Sequence, residues 1–155
     1  MKKVLLFIGL SLFFFKSNAQ SQNTDDDWSL IHKTLNLYID GQATGDSVMV
    51  GRAFHSSWQL KGFREKEFVV VPKSKYLVGY KKRDAKPANW SGRVVSVDFT
   101  NNAASAKVEI STAKLLFVDY FNLLKTDQGW FIVDKISTRT PHKTVEAEVK
   151  PKEKS

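Results

Sequence analysis

The chain has 155 residues and no cysteine, and it is 42% hydrophobic and 26% charged. That composition excludes a disordered, collagenous or disulfide-stapled protein and fits one domain of about 100–150 residues. The formal charge of +8 is local: Lys2, Lys3 and Lys16 precede residue 20, and within 61–86 nine bases face three acids, so the rest is close to neutral. A charge so confined weakens a nucleic-acid reading.

In chain order, Lys2 and Lys3 form a positive start, Val4 to Phe15 an apolar run, and Ser17-Asn18-Ala19 a small-residue cleavage site. Residues 1–19 therefore read as a signal peptide cleaved before Gln20, and the mature chain is expected to be periplasmic or secreted. The run is shorter than the roughly 20 apolar residues of a spanning helix, so no transmembrane segment is expected in the mature chain. Export also makes nucleic acid an unexpected partner. Residues 20–24 are a polar linker, with Thr24 or Asp25 able to cap a helix. Trp28, Ile31, Leu35, Tyr38 and Ile39 then fall on one helical stripe, and Gly41 and Gly45 loosen its end. Asp46 is the expected N-cap of a short helix from Ser47 to Phe54. Strands are expected over Trp58 to Phe63 and Glu67 to Val71, and a third helix over Ser74 to Lys82, where Tyr76, Leu77 and Tyr80 are three or four apart.

From Trp90 the apolar period becomes two: Val95, Val97 and Phe99, a turn at Asn101-Asn102, then Ala104, Ala106, Val108 and Ile110. Leu115 to Lys125 is a long apolar strand, and Asp127-Gln128-Gly129 turns it into Trp130 to Thr138. Pro141 ends the domain, which covers 25–140, and 141–155 reads as a disordered charged tail. Three helices followed by an antiparallel meander make an α+β arrangement.

The order of these motifs resembles the lumazine-binding-like branch of the nuclear transport factor 2-like (SnoaL-like) superfamily. The residues that carry it are Tyr38-Ile39-Asp40-Gly41, Gly45-Asp46, Ala53-Phe54-His55, Arg93 to Phe99, Ala104 to Val108, Phe117 to Leu124 and Gly129 to Lys135. The resemblance implies a cone-like fold with three N-terminal helices on a strongly curved, mainly antiparallel sheet, an internal cavity, and often a dimer. Superfamily members include isomerases, dehydratases and polyketide cyclases, and others that only bind or assemble. The basic run at 61–86 is not part of the pattern.

No nucleophile elbow, phosphate loop, dinucleotide fingerprint or paired-cysteine zinc motif occurs, so no cofactor or metal is expected. His32 reads as a solvated helix residue and His142 as an inert tail residue. His55, at the junction of the second helix and the first strand, is either an acid or base at the open end of a cone or a cap on the helix C-terminus, and the cap is preferred. Alternation places Phe117, Asp119, Phe121 and Leu123 on one face of their strand and Leu116, Val118, Tyr120 and Leu124 on the other. Both faces are mostly apolar, so Asp119 is expected to be partly buried. The resemblance makes Asp119 with His55 or Tyr38 the catalytic candidate; the structural alternative is a buried carboxylate holding strand register, for which Asp119→Asn costs about 1 kcal/mol. Tyr38, Trp58, Tyr80, Trp90 and Tyr120 are candidates to line a pocket for a flat ring, while Trp28 and Trp130 are assigned to the core. Asp134 and Lys135 fall on opposite faces. The expected function is binding of a small aromatic or anionic ligand without catalysis. The alternatives are a lyase or isomerase using an Asp/His pair, and a homodimeric envelope interaction module.

Overall fold

The computed structural model describes residues 24–142. The expected signal peptide, the linker up to residue 23 and the expected tail beyond His142 lie outside the described residues. Helices α1 (Thr24–Thr44) and α2 (Ser47–Ala53) lead into strands β1 (Phe54–Arg64) and β2 (Glu67–Pro72), then α3 (Lys73–Val78). Strands β3 (Ser91–Thr100), β4 (Ala103–Ser111), β5 (Leu115–Thr126) and β6 (Gly129–Pro141) complete one sheet in the order β2-β1-β6-β5-β4-β3. Every pairing is antiparallel except β1 with β6, which is parallel.

The core lies between α1 and the concave face of the sheet, where Ile31, Leu35 and Tyr38 meet Val108, Phe121, Leu123 and Ile132. Trp28 departs from the expected core and is 45% exposed. The inward position one residue earlier belongs to Asp27, whose Oδ1 accepts from Trp130 Nε1 at 2.9 Å and pairs with Lys125 at 2.7 Å. The Lys125 ammonium, then the Trp130 N–H, hold the Asp27 carboxyl below the usual carboxylate range. The first turn of α1 is thereby tied to the β5–β6 hairpin.

Asp46 caps α2 as expected, its carboxylate accepting from the backbone N–H of Val48 and Met49. The chain leaves α2 at Phe54, already extended (φ −100°, ψ 133°), so β1 begins four residues earlier than Trp58 and His55 is a strand residue. Helix α3 stops at Val78, short of the expected Lys82, because the following segment is drawn to the end of α1. Arg83 N–H donates to Thr44 O at 2.7 Å, and its guanidinium donates to Gln42 O and Ala43 O. The left-handed Gly45 (φ +65°) permits this approach: a Cβ there would stand 2.1 Å from Lys81 O.

Three irregularities interrupt the sheet, one of them in β1 between Phe54 and Gln59 where it pairs with β6. In β3 the register slips between Val94 and Ser96, and in β6 Asn122 pairs with Asp134 while Leu123 pairs with Ile132. Val95 and Val133 are the extra residues, and each reverses the inward parity of its strand. Val95, expected on the inner face, is consequently exposed, with Gly92, Val94, Val97 and Phe99 turned inward. Strand β6 runs to Pro141, beyond the expected Thr138. His142, expected to be inert, bonds the β4–β5 turn through Ser111 Oγ and Thr112 O.

Candidate functional site

The open end of the cone holds a cavity of about 1140 Å³. Its floor is polar. Tyr38 and Gln42 stand one turn apart on α1, Tyr76 comes from α3, and Asp119, Lys135 and Ser137 come from adjoining strands. Asp119 faces Ser137 directly in the β5–β6 ladder, and Lys135 is its diagonal neighbour opposite Phe121. Tyr38 Oη donates to Asp119 Oδ2 at 2.5 Å and Ser137 Oγ to Oδ1 at 2.5 Å. Lys135 Nζ lies 3.0 Å from the hydroxyls of Tyr38 and Tyr76 and 3.4 Å from Asp119 Oδ2. Gln42 Nε2 donates to both tyrosine hydroxyls, at 3.0 and 2.8 Å.

Both charges are almost wholly out of water, Asp119 being 1% and Lys135 3% exposed. An isolated buried charge is costly, so the pair depends on its mutual attraction and on hydrogen bonds that satisfy the remaining valences. Burial alone draws the Lys135 pKa down, but the Tyr76 oxygen and the Asp119 carboxylate outweigh it and hold it above the ordinary lysine value. Its ammonium also stands 4.7 Å from the Tyr76 ring centre and 5.1 Å from that of Tyr38. Burial, then the Asp119 charge, raise the Tyr38 pKa well above that of a free tyrosine, so it serves as a donor. The three protons of Lys135 are all engaged, and three donors occupy Asp119. Tyr76 Oη accepts two bonds, while its own proton meets no acceptor among the described residues.

The walls are apolar: Leu60, Trp90, Ile110 and Phe117 line the space above the floor. Trp90 reaches it across Gly92, where a Cβ would stand 2.7 Å from both the indole and Ile39. Arg64 and Arg139 lie at the exposed end of the lining.

Of the residues singled out in the sequence, Tyr38, Trp90 and Asp119 come together on the cavity. Four do not. His55 is not part of the lining; its Nδ1 is 2.7 Å from Ser57 Oγ, so the Asp119–His55 pair does not form. Its position inside β1 also removes the expected helix-capping role. Trp58 is buried in the core, stacked on Phe54 with ring centres 4.0 Å apart. Tyr80 packs behind Tyr76 at 5.6 Å, its pKa pushed up by burial first and then by Tyr76, outside the lining. Tyr120 stands on the outer face and is 50% exposed, as the alternation of its own strand requires.

Lys135, Tyr76, Gln42 and Ser137 are not evident as site residues from sequence. Gln42 carries a signal, one helical turn after Tyr38. Lys135 carries a misleading one, since alternation counted from Trp130 sends Asp134 inward, and only the bulge at Val133 reverses it. Asp134 instead bonds Lys61 on the outer face at 3.0 Å. The basic run at 61–86 is likewise divided: Lys61 pairs outward, Lys73 donates to Phe54 O, Lys82 pairs with Asp46, Arg83 closes the end of α1, and Arg64 lines the cavity. Among the described residues no three His, Asp or Glu cluster as metal ligands, and no helix is long and apolar enough to cross a membrane.

Solved structures share this architecture. A nuclear transport factor 2-like protein of unknown function from Shewanella baltica OS155 is 23% identical, with a TM-score of 0.69 over 76% of this chain and 97% of that one. Another, from Silicibacter pomeroyi DSS-3, is 21% identical, with a TM-score of 0.65 over 76% and 98%. A ketosteroid isomerase-like protein from Erwinia carotovora atroseptica SCRI1043 is 12% identical, with a TM-score of 0.57 over 74% and 97%. These identities establish the fold alone. Among curated proteins no sequence match is found. The family model described as "Putative lumazine-binding" matches residues 26–137, α1 through most of β6. With the cone fold and its cavity in place, the chain belongs to the family that this model describes, and it has the fold of nuclear transport factor 2-like proteins.

Proposed function

We propose that this chain is an exported domain that binds a small organic molecule in the cone without transforming it. The observation that carries the reading is a cavity of about 1140 Å³ with apolar walls, whose buried charges satisfy one another. That volume slightly exceeds the usual range of small-molecule sites. A carboxylate held by Tyr38, Ser137 and Lys135 is a fixed anchor for the floor, and no histidine reaches it. The test is to denature protein purified from its exported form, extract it, and compare the extract by mass spectrometry with that of Leu60→Trp, which narrows the cavity. An organic compound enriched in the unmodified protein is expected. Identical extracts, with no rise in melting temperature against a panel of aromatic acids, would exclude the reading. The same spectra should begin at Gln20 or its cyclised form; an intact Met1 would remove export from the proposal.

A second, compatible reading is homodimerisation through the outer face of the sheet. It is favoured by Tyr120 and Ile136, paired across β5 and β6 and each about half exposed, with exposed Val70 on the same face. Tyr120→Glu with Ile136→Lys should halve the mass measured by light scattering. A monomer before mutation rules this reading out.

A further inference from the structure

We infer that the ligand is an organic anion bound lengthwise, with its apolar body between the cavity walls, a hydrogen-bond acceptor at the floor and its anionic group between Arg64 and Arg139; this rests on the ligand-binding reading above. The two arginines belong to neighbouring strands. Leu60 pairs with Lys135 and Lys61 with Ile136 in the parallel β1–β6 ladder, and a Cβ on Gly62 would stand 3.2 Å from Ser137 O, continuing that register. The paired ladder ends at Lys61 and Ile136, and the same register counted onward brings Arg64 towards Arg139. Inward parity agrees, because Leu60, Gly62 and Arg64 share one face of β1, and Lys135, Ser137 and Arg139 share the matching face of β6. Arg139 also pairs with Phe117, an apolar wall residue, across the β5–β6 ladder.

The charges along the cavity set the ligand's orientation. At the floor Asp119 and Lys135 cancel, so that end offers only the free Tyr76 proton and suits a neutral acceptor. At the exposed end neither Arg64 nor Arg139 has a carboxylate partner among the described residues, and Glu65 is the one acid in that part of the lining. Guanidinium groups hold carboxylates, sulfonates and phosphates through paired N–H donors. Lys135 and Arg139 are four residue steps apart along β6, about 13 Å, which sets the ligand's length. Of the basic run at 61–86, Lys61, Arg64 and Arg83 are on the lining; Arg64 is the one assigned to the anionic group, and its partner arginine comes from outside the run.

Two dyes with one skeleton separate charge from shape: 1-anilinonaphthalene-8-sulfonate, an anion, and N-phenyl-1-naphthylamine, which lacks the sulfonate. Fluorescence titration of the full mature chain should show the anion bound about tenfold more tightly, the scale of two partly exposed ion pairs. The preference should shrink as salt is raised. In Arg64→Gln/Arg139→Gln it should fall to about twofold or less, with the neutral dye unaffected. Both dyes should weaken in Leu60→Trp, or in Ala113→Trp at the cavity edge if the first variant does not melt cooperatively. Equal binding of the two dyes by the unmodified protein overturns the inference and leaves the binding reading standing. So does an anion preference that survives loss of both arginines. If neither dye binds, or neither weakens when the cavity is narrowed, the binding reading fails and this inference with it.

Discussion

Asp119 and Lys135 each lack water and each supply the other's counter-charge, so neither is expected to be removable alone. Asp119→Asn, which would cost about 1 kcal/mol if a single hydrogen bond were weakened, leaves the Lys135 ammonium buried without its anion. Its cost should instead be about 3–5 kcal/mol, and Lys135→Met should cost a similar amount. The double variant Asp119→Leu/Lys135→Met should recover most of the loss, because apolar side chains often replace a buried pair at little cost. Urea unfolding of the four proteins checks this; single losses below about 1 kcal/mol would mean that the pair is solvated. The pair also sets an alkaline limit. Lys135 and Tyr38 have folded pKa values above their ordinary ones, so their contribution is fully present below those ordinary values and is lost as pH rises through the folded ones. Melting temperature should hold to about pH 10 and then fall, and the fall should be shallower in the double variant.

Between strands, one inserted residue decides which chemistry faces the cavity. Val133 is the extra residue of β6; if the intact strand alternated without a bulge, Asp134 and Ile136 would face inward and Lys135 outward. Inserting one alanine between Asp134 and Lys135 should therefore turn Lys135 outward, set Ile136 opposite Asp119 and leave that carboxylate without its cation. Its cost should be at least that of losing the pair, about 3–5 kcal/mol, and thermal unfolding followed by circular dichroism should show loss of a cooperative transition. An insertion variant as stable as the parent would mean that inward parity in β6 is not what positions Lys135. The same device marks the limit of what the sequence shows. The helices, the turns at Asn101-Asn102 and Asp127-Gln128, and the faces of β5 follow from spacing, and so Asp119 is legible as an inward carboxylate. Bulges have no periodic signature, so Val95 and Lys135 fall on the wrong faces when alternation is simply counted. Trp28 misleads for another reason, because its large apolar ring outweighs, in any pattern, an Asp27 whose partners lie near residue 130.

At the scale of the molecule, the motif order from Tyr38 to Lys135 was sufficient to expect the cone, and the family match over 26–137 agrees. What spacing does not reveal is the parallel pairing of β1 with β6, since nothing local links residues so far apart. That pairing lays Leu60 against Lys135 and Lys61 against Ile136. The composition of the site is therefore set by a contact with no local signal, and aromatic residues chosen for their chemistry alone, such as Trp58 and Tyr120, are divided between the core and the outer face.

The β1–β6 seam has a consequence for how the molecule assembles. Leu60 and Lys135 are 75 positions apart, whereas β3 to β6 are joined in succession by short turns. Closing the long connection costs chain entropy before any contact offsets it, so the C-terminal meander should nucleate and the helices with the β1–β2 hairpin should dock late. Substituting Phe121 or Ile132 should slow refolding, while Leu60→Ala should chiefly speed unfolding; stopped-flow kinetics distinguish the two. A ribosome delivers the chain in the opposite order, helices first. Until β3 to β6 are made, the apolar stripe of α1 lacks the full sheet that covers it, and the nascent chain stays open to whatever holds unfolded chains before they fold.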